Sequence, residues 1–442
     1  MACPPIQQGQ STDIHALLRM EPETALTARI KSTAAGEPPH TDALFPPPPL
    51  EADFLSKTAS WERFAAMAIH FDRADENNDN QSLHSAIQES LTALAQGRAM
   101  HWFRWGATLY GCAIKDADAS TAGRIAQQIQ HKLDETLLAT VSIGLSEFPL
   151  DDFSREAAFE NACKALDHAA FFGPASTVVF DAVSLNISGD HFYQTGKVSE
   201  AMAEYRAALR LDADDVNVYN SLGVCLAQTG EIEEAAACFE KALAIDPKEA
   251  MAAYNLGVLD LLRKADEQAL AHFQNAYALD DRTFDIAFQI GKLLTEHHAY
   301  GEAKPYLEKA LSLNNTSAPA WSYLGQCLHG LDHIKQAIDA FKRAVKINPN
   351  DATALSRLAV LYDLKGENPE ISLTFARQSV ALAPENGEFR MRLAELYQKH
   401  DRLDQALSEY RSAAALGQDS TEQIAHVQAQ METPASKKQR CA

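Results

Sequence analysis

Few residues in this sequence are placed to do chemistry, and their spacing removes most of the reactions they suggest. Gly189–Lys197 (GDHFYQTGK) comes nearest to a phosphate-cradling loop, but six residues separate its two glycines. Val198 also follows the lysine where such a loop needs a hydroxyl. His297 and His298 are adjacent, so on a helix they face different ways, and no carboxylate or cysteine stands at ligand spacing. They read as surface residues, and no metal ion or cofactor is expected. Cys3, Cys112, Cys163, Cys225, Cys238, Cys327 and Cys441 are scattered and never spaced CxxC. That pattern points to reduced thiols in a cytoplasm rather than to a disulfide frame or zinc knuckle. No nucleophile elbow, zinc-protease helix motif or calcium loop occurs.

The elements that would have to position a site fall into distinct textures along 442 residues, a length that suits two or three domains. The balance of 46% hydrophobic and 22% charged residues is that of a globular chain. With 39 lysines and arginines against 60 acids the net charge is −21, which repels phosphate backbones and steers basic partners. A nucleic-acid partner is therefore not expected. No apolar run approaches the ~20 residues of a membrane helix, and the opening MACPPIQQGQSTD lacks the regions of a secretory signal. The expectation is a cytoplasmic protein without membrane contact. Residues 1–50 read as a disordered Pro-rich arm, with Pro46–Pro49 favouring extended polyproline II. Over 51–181, apolar strands (Phe64–Phe71, Met100–Phe103, Ala139–Leu145, Ser176–Phe180) alternate with helical stretches (Ser82–Ala95, Thr121–Lys132). This is the pattern of an α/β sandwich with the sheet on one side.

Beyond residue 181 the texture becomes continuous helix pairs with a period of 34. Gly189, Gly223, Gly257, Gly291 and Gly325 share one phase. Ala201, Ala235, Ala269, Ala303 and Ala337 share a second, and Ala208, Ala242, Ala276, Ala310 and Ala344 a third. A bulky residue recurs at Tyr205, Phe239, Phe273, Leu307 and Phe341. Small positions let the two helices of a repeat approach, and the bulky one fills the gap between them. One inserted residue near Glu367–Glu370 shifts the frame, which resumes at Leu393, Ala394, Tyr397, Ala406 and Tyr410. In period and phase the pattern resembles the tetratricopeptide repeat (TPR). Seven repeats are expected: 182–215, 216–249, 250–283, 284–317, 318–351, 352–386 and 387–420. A polar capping helix over 421–431 and a disordered tail over 432–442 would follow.

The resemblance implies an all-α superhelical solenoid whose first helices present the second, fifth and ninth positions of each repeat to a groove, with the sixth and twelfth sometimes joining them. That phase selects Asn217, Asn220, Tyr254, Val258, Phe288, Lys292, Ser322, Gln326, Arg357 and Arg392. Aromatic anchors and amides of this kind suit a protein or peptide partner. Tyr254 and Phe288 could equally pack between repeats. The lysine–asparagine pair with which some TPR modules clamp a terminal carboxylate is not reproduced at Asn186/Asp190, Asn220/Val224, Tyr254/Val258, Phe288/Lys292 or Ser322/Gln326.

The 51–181 block resembles a GGDEF (diguanylate cyclase) domain in three places. Thr140–Leu145 (TVSIGL) with Leu166–Phe171 (LDHAAF) and Val178–Asp181 is similar to the family's VSIG strand, ADxALY helix and closing strand. His70–Asp79 (HFDRADENND) aligns with D-x-D-x-F-K-x-I-N-D, and Arg104–Tyr110 (RWGATLY) occupies the place of R-Y-G-G-D-E-F. In that family two acids hold the metal ions that carry phosphoryl transfer. Here those positions are His70 and Thr108, poor ligands for magnesium. Gly106 keeps the first signature glycine, Ala107 replaces the second, and Leu109 replaces the last acid. The lysine expected after the helix and the RxxD inhibitory site are missing, and only Asn78, at the guanine-binding position, is retained. The expectation is a degenerate α/β domain used for dimerisation or docking, joined to a TPR scaffold that is not an enzyme and is bacterial, as the GGDEF family overwhelmingly is. Two alternatives remain: a sensor of GTP or c-di-GMP signalling to the repeats, and an active cyclase with unusual metal ligands.

Overall fold

A computed structural model describes residue 18 and residues 48–73, 80–95, 99–104, 106, 108–137, 139–366 and 369–432. It divides into two compact units, residues 1–259 and 260–442. The 433–442 tail, and the arm apart from Leu18 and residues 48–50, lie outside the described residues.

The first unit opens with helix α1 (Pro48–Thr58), strand β1 (Phe64–Arg73), helix α2 (Asn80–Ala95) and strands β2 (Met100–Arg104) and β3 (Leu109–Lys115). Helix α3 (Ala119–Leu137), strand β4 (Thr140–Phe148), helix α4 (Ala157–Ala170) and strand β5 (Thr177–Val179) complete the α/β part. Pro48 and Pro49 thus begin a helix rather than continue an extended stretch. Proline fits the first helical turn, where its missing N–H costs nothing.

The sheet order is β2-β3-β1-β4-β5, antiparallel except for the parallel β4–β5 pair. Alternation along β1 sends Ala65, Met67, Ile69 and Phe71 to one face and Phe64, Ala66 and Ala68 to the other. Both faces are covered. On the first, β1 joins Ile143 and Leu145 of β4 with Ile87 and Leu91 of α2 and Ile125 and Ile129 of α3. On the second, Phe54 of α1 meets Phe103, Phe159 and Leu166. The layer is therefore helix–sheet–helix, not the two-layer sandwich expected, because both faces of the central strand are apolar. β3, which follows the turn at Gly106 and Thr108, is a further strand that the periodicity does not single out.

α4 sits on β4 at unusually short range. A Cβ added at Gly144 would lie 2.0 Å from the Ala162 carbonyl oxygen and 2.3 Å from the Leu166 nitrogen. Glycine there is a condition for the helix to seat.

The helix pairs begin at once. In the first unit they are α5 (Ala182–Gln194), α6 (Val198–Leu211), α7 (Val216–Thr229), α8 (Ile232–Ile245) and most of α9 (Ala250–Leu262). In the second they are α10 (Asp266–Leu279), α11 (Phe284–Glu296), α12 (Tyr300–Leu313), α13 (Ala318–Gly330), α14 (Ile334–Ile347), α15 (Ala352–Leu364), α16 (Pro369–Leu382), α17 (Gly387–Lys399) and α18 (Leu403–Ala415). A single helix, α19 (Thr421–Glu432), follows. Aspartate, serine or asparagine side chains cap the N-termini of α5, α7, α13, α15 and α17 through Asp181, Asp215, Ser317, Asp351 and Asn386. The recurring glycine and bulky residue meet within four of the pairs. A Cβ at Gly189 would lie 2.5 Å from the Tyr205 ring, at Gly223 2.6 Å from Phe239, at Gly291 2.7 Å from Leu307 and at Gly325 2.9 Å from Phe341.

Two substitutions separate close packing from mere helix propensity. Gly144→Val should cost about 3 kcal/mol, because α4 cannot retreat without opening its core. Gly301→Ala, where an added Cβ meets nothing within 4 Å, should be neutral or stabilising by up to ~1 kcal/mol. Urea unfolding of the two variants beside the wild type reads both effects. Equal stability of the three would contradict the packing account.

Candidate functional site

Three places could carry function: the end of β1 beside the degenerate signature turn, the junction of α4 with the first helix pair, and the inner faces of the repeats.

At the first, the β1–β3 register sets His70 opposite Leu109, and the Phe71 N–H donates to the Thr108 carbonyl at 3.1 Å. His70 and Thr108 are thus neighbours, as their assignment to one site requires. Gly106 lies in the turn, its carbonyl accepting from Arg104 Nε at 2.6 Å. Asn78 and Ala107 lie outside the described residues. The nearby carboxylate is Asp72, which accepts from the Ala175 N–H at 2.9 Å and lies 3.7 Å from His70 Nδ1. Among the described residues, the imidazole, the hydroxyl and this one engaged carboxylate make a weak cradle for magnesium, which favours several carboxylate oxygens. Among the described residues no cluster of three or more His, Cys, Asp or Glu is placed to hold a metal ion.

The junction is built from α4 and needs no linker. Asp181 ends the α/β part and caps α5, accepting from the Ser184 N–H at 2.9 Å. Lys164, buried on α4, reaches Glu204 of α6 at 2.8 Å and Glu160 at 2.9 Å. Burial opposes its charge, but the two carboxylates more than offset this and hold the ammonium pKa above its ordinary value. Glu204 is raised by burial, with Lys164 opposing. His168 stands 3.2 Å from the Ser184 hydroxyl. Arg210 of α6 reaches Asp152 at 2.9 Å and lies 5.5 Å from the Phe153 ring. Burial lifts Asp167 from 3.8 to about 8 and Asp190, which accepts from the Tyr205 hydroxyl at 2.7 Å, to about 6. None of these residues stands out in the sequence, because no local pattern marks a pair separated by a whole helix hairpin.

Of the positions selected from the repeat phase in the first unit, Asn217 is exposed, whereas Asn220, Tyr254 and Val258 are closed to solvent, at 1%, 1% and 0% exposure. Asn255 donates an amide hydrogen to Asn220 at 2.9 Å between α7 and α9. These three residues offer no open surface.

In the second unit Phe288, Lys292, Gln326, Arg357 and Arg392 are half-buried and reachable, while Ser322 is buried. Phe284 stacks on Phe288 at 5.5 Å and 8°, and Tyr323 meets Phe288 edge-on at 5.8 Å. Tyr323 donates to Glu296 at 2.7 Å. Further along, Arg392 donates to the Ser356 hydroxyl at 3.0 Å and pairs with Glu388. Burial and the Arg357 charge lower the Arg392 pKa, and burial followed by Arg357 lowers that of His329. The Arg357 Nε is buried without a hydrogen-bond partner. Exposed edges of aromatic rings can take an apolar side chain, and guanidinium groups that depress neighbouring bases can take a carboxylate. His329 was not among the selected residues, although its twelfth position in its repeat was the available signal.

Burial raises Cys112 and Cys225 to about 12 and Cys238 and Cys327 to about 11.

Comparison with known proteins bears on the repeats. Family models described as TPR repeat match residues 189–230, and models described as tetratricopeptide repeat match 216–249 and 294–361. The chain thus carries tetratricopeptide repeats. Similar solved structures include YrrB, described as a TPR protein with an unusual peptide-binding site (26% identity, 41% of this chain and 92% of that one, TM-score 0.38). Pseudomonas aeruginosa pilF is 22% identical over 50% of this chain and all of its own, with a TM-score of 0.43. MamA is 21% identical over 38% of this chain and 97% of its own, at 0.34. No curated protein matches the chain.

The junction yields two tests. Lys164→Met should cost about 3 kcal/mol in urea unfolding, because it strands Glu204 beside Glu160, and Lys164→Met with Glu204→Gln should recover part of the loss. A single variant as stable as the wild type would rule out a coupled pair. The second test concerns pH. A carboxyl raised in the folded state holds its proton more tightly than in the unfolded chain, so its contribution is complete at low pH and is lost as pH rises. The window for Asp167 runs from 3.8 to about 8. The stability advantage of Asp167→Asn over wild type should therefore grow between pH 5 and pH 8, and a constant difference would show that Asp167 does not titrate there.

Proposed function

We propose that the chain is a non-catalytic interaction scaffold whose repeats hold a protein or peptide partner. The observation that carries this is on the first helices of the second unit, where Phe284, Phe288 and Tyr323 pack ring to ring and Lys292, Arg357 and Arg392 keep part of their surface, in a chain of net charge −21. Concentrated positive charge against an acidic background favours a segment with an aromatic or aliphatic anchor and acidic side chains.

The α/β part is, in this reading, a degenerate GGDEF-like domain that serves as a docking or dimerisation platform and not as a cyclase. The loss of acids at His70 and Thr108 supports this, and so does the fusion of α4 to the repeats through Lys164 and Glu204. Scattered free thiols support a reducing cytoplasm. No helix among the described residues is long and apolar enough to cross a membrane.

The test uses the full chain. Peptides selected from a random library should be rich in acids around an aromatic residue. Their affinity by calorimetry should fall roughly tenfold in Phe288→Ala, and in Lys292→Glu, with both the wild-type affinity and the loss in Lys292→Glu shrinking in high salt. Selection of basic peptides, or affinities indifferent to both substitutions, would move the binding site elsewhere. Production of c-di-GMP from GTP and magnesium would overturn the non-catalytic reading.

A further inference from the structure

In the first unit the inner faces of the repeats are already covered. Each residue from Asn220 to Ala227 on α7 is buried, and so is each from Met251 to Leu259 on α9. Runs of that length pass through two or more full turns, so over those turns no face of either helix is left to water. The corresponding helices of the second unit behave differently: Phe288 and Lys292 on α11, Gln326 and His329 on α13, and Arg357 and Val360 on α15 keep part of their surface. A first helix is flanked by its own partner and by its neighbours along the array, which accounts for its sides and not for its inner face. Among the described residues the α/β part packs on the repeats chiefly through α4 against α5.

Leu18 is the second observation. It lies in the arm, 30 positions before Pro48, yet it is 3% exposed. It belongs to neither apolar core of the α/β part. Its surroundings in sequence, Ile14-His15-Ala16-Leu17-Leu18-Arg19-Met20, hold four apolar side chains larger than alanine, one arginine and no acid. Such a segment suits an apolar floor in an acidic protein. The floor is available in Val224, Tyr254 and Val258, with the aligned amides of Asn220 and Asn255 beside them for polar groups of a bound backbone. Residues 19–47 span up to ~95 Å when extended, enough to bring Leu18 anywhere on this unit.

We infer that residues 14–20 are an internal ligand, seated on the inner face of α7 and α9. The inference rests on the peptide-binding reading of the repeats and adds regulation to it. A tethered segment acts at a local concentration on the order of millimolar, so an outside ligand reaches this part of the face only by displacing the arm. The face of the second unit stays open meanwhile.

Photo-cross-linking of the full chain tests the inference without any partner. With Leu18→p-benzoylphenylalanine, irradiation should join residue 18 to peptides within 216–262 in the monomer fraction. A cross-link into 64–170, a cross-link between two chains, or none at all overturns the inference, and the second of these would assign the seat to another copy. Because the probe itself could disturb the seat, Leu18→Asp gives an independent reading. A fluorescent peptide of residues 11–24 should bind this variant roughly tenfold or more tightly than wild type, since the tethered competitor is gone. Equal binding to the two proteins, or binding to neither, counts against it. Failure here would leave the peptide selection on the second unit untouched, so the two readings are separately decided.

Discussion

The repeats depend on one steric fit, a bulky side chain of the second helix lying over a glycine of the first. At Gly189, Gly223, Gly291 and Gly325 the partner ring or leucine stands where a Cβ would be, within 2.5–2.9 Å. That contact sets how closely the helices of a pair approach, and hence where each first helix presents its remaining faces. The small alanines at Ala235, Ala269, Ala303 and Ala337, all fully buried, keep the same spacing on the other helix. Nothing about the inner surface is independent of this fit.

The α/β part applies the same device once, at Gly144 under α4, and then turns it to a different end. Drawn down onto the sheet, α4 exposes to the repeats a face whose Lys164 and His168 engage Glu204 and Ser184. A buried ion pair adds little net stability over a well-packed apolar contact, but it penalises every misaligned docking heavily. The junction therefore fixes geometry more than it adds energy.

The repeats were legible in the sequence because their information is periodic: Gly, Ala and bulky residues recur at fixed phase, and each helix boundary follows. The strands at Phe64, Met100, Ala139 and Thr177 were legible from apolar runs. Leu109–Lys115 was obscured because its residues were read for their place in a degenerate signature. Pro48 and Pro49 open a helix, which the run of four prolines hides, since nothing in the run marks which of them start it. The phase also selected Asn220, Tyr254 and Val258, but phase says which way a side chain points and nothing about what lies over it. Lys164 and Glu204 are separated by forty residues of unrelated pattern, and only the folded chain brings them together.

The end of the array has a consequence for how it comes apart. α19 buries one of its side chains fully, Val427, while Ile424 and Met431 pack only partly buried at the edge of the core and Gln398 donates to Gln430 at 3.1 Å. The opposite end is held by the ion pairs and caps of α4–α6. In an array whose stability is a sum of neighbour contacts, opening starts where the last interface is thinnest and proceeds inward. Among the described repeats, denaturant and heat will therefore open residues 421–432 first, and the loss will run from there toward the α/β part.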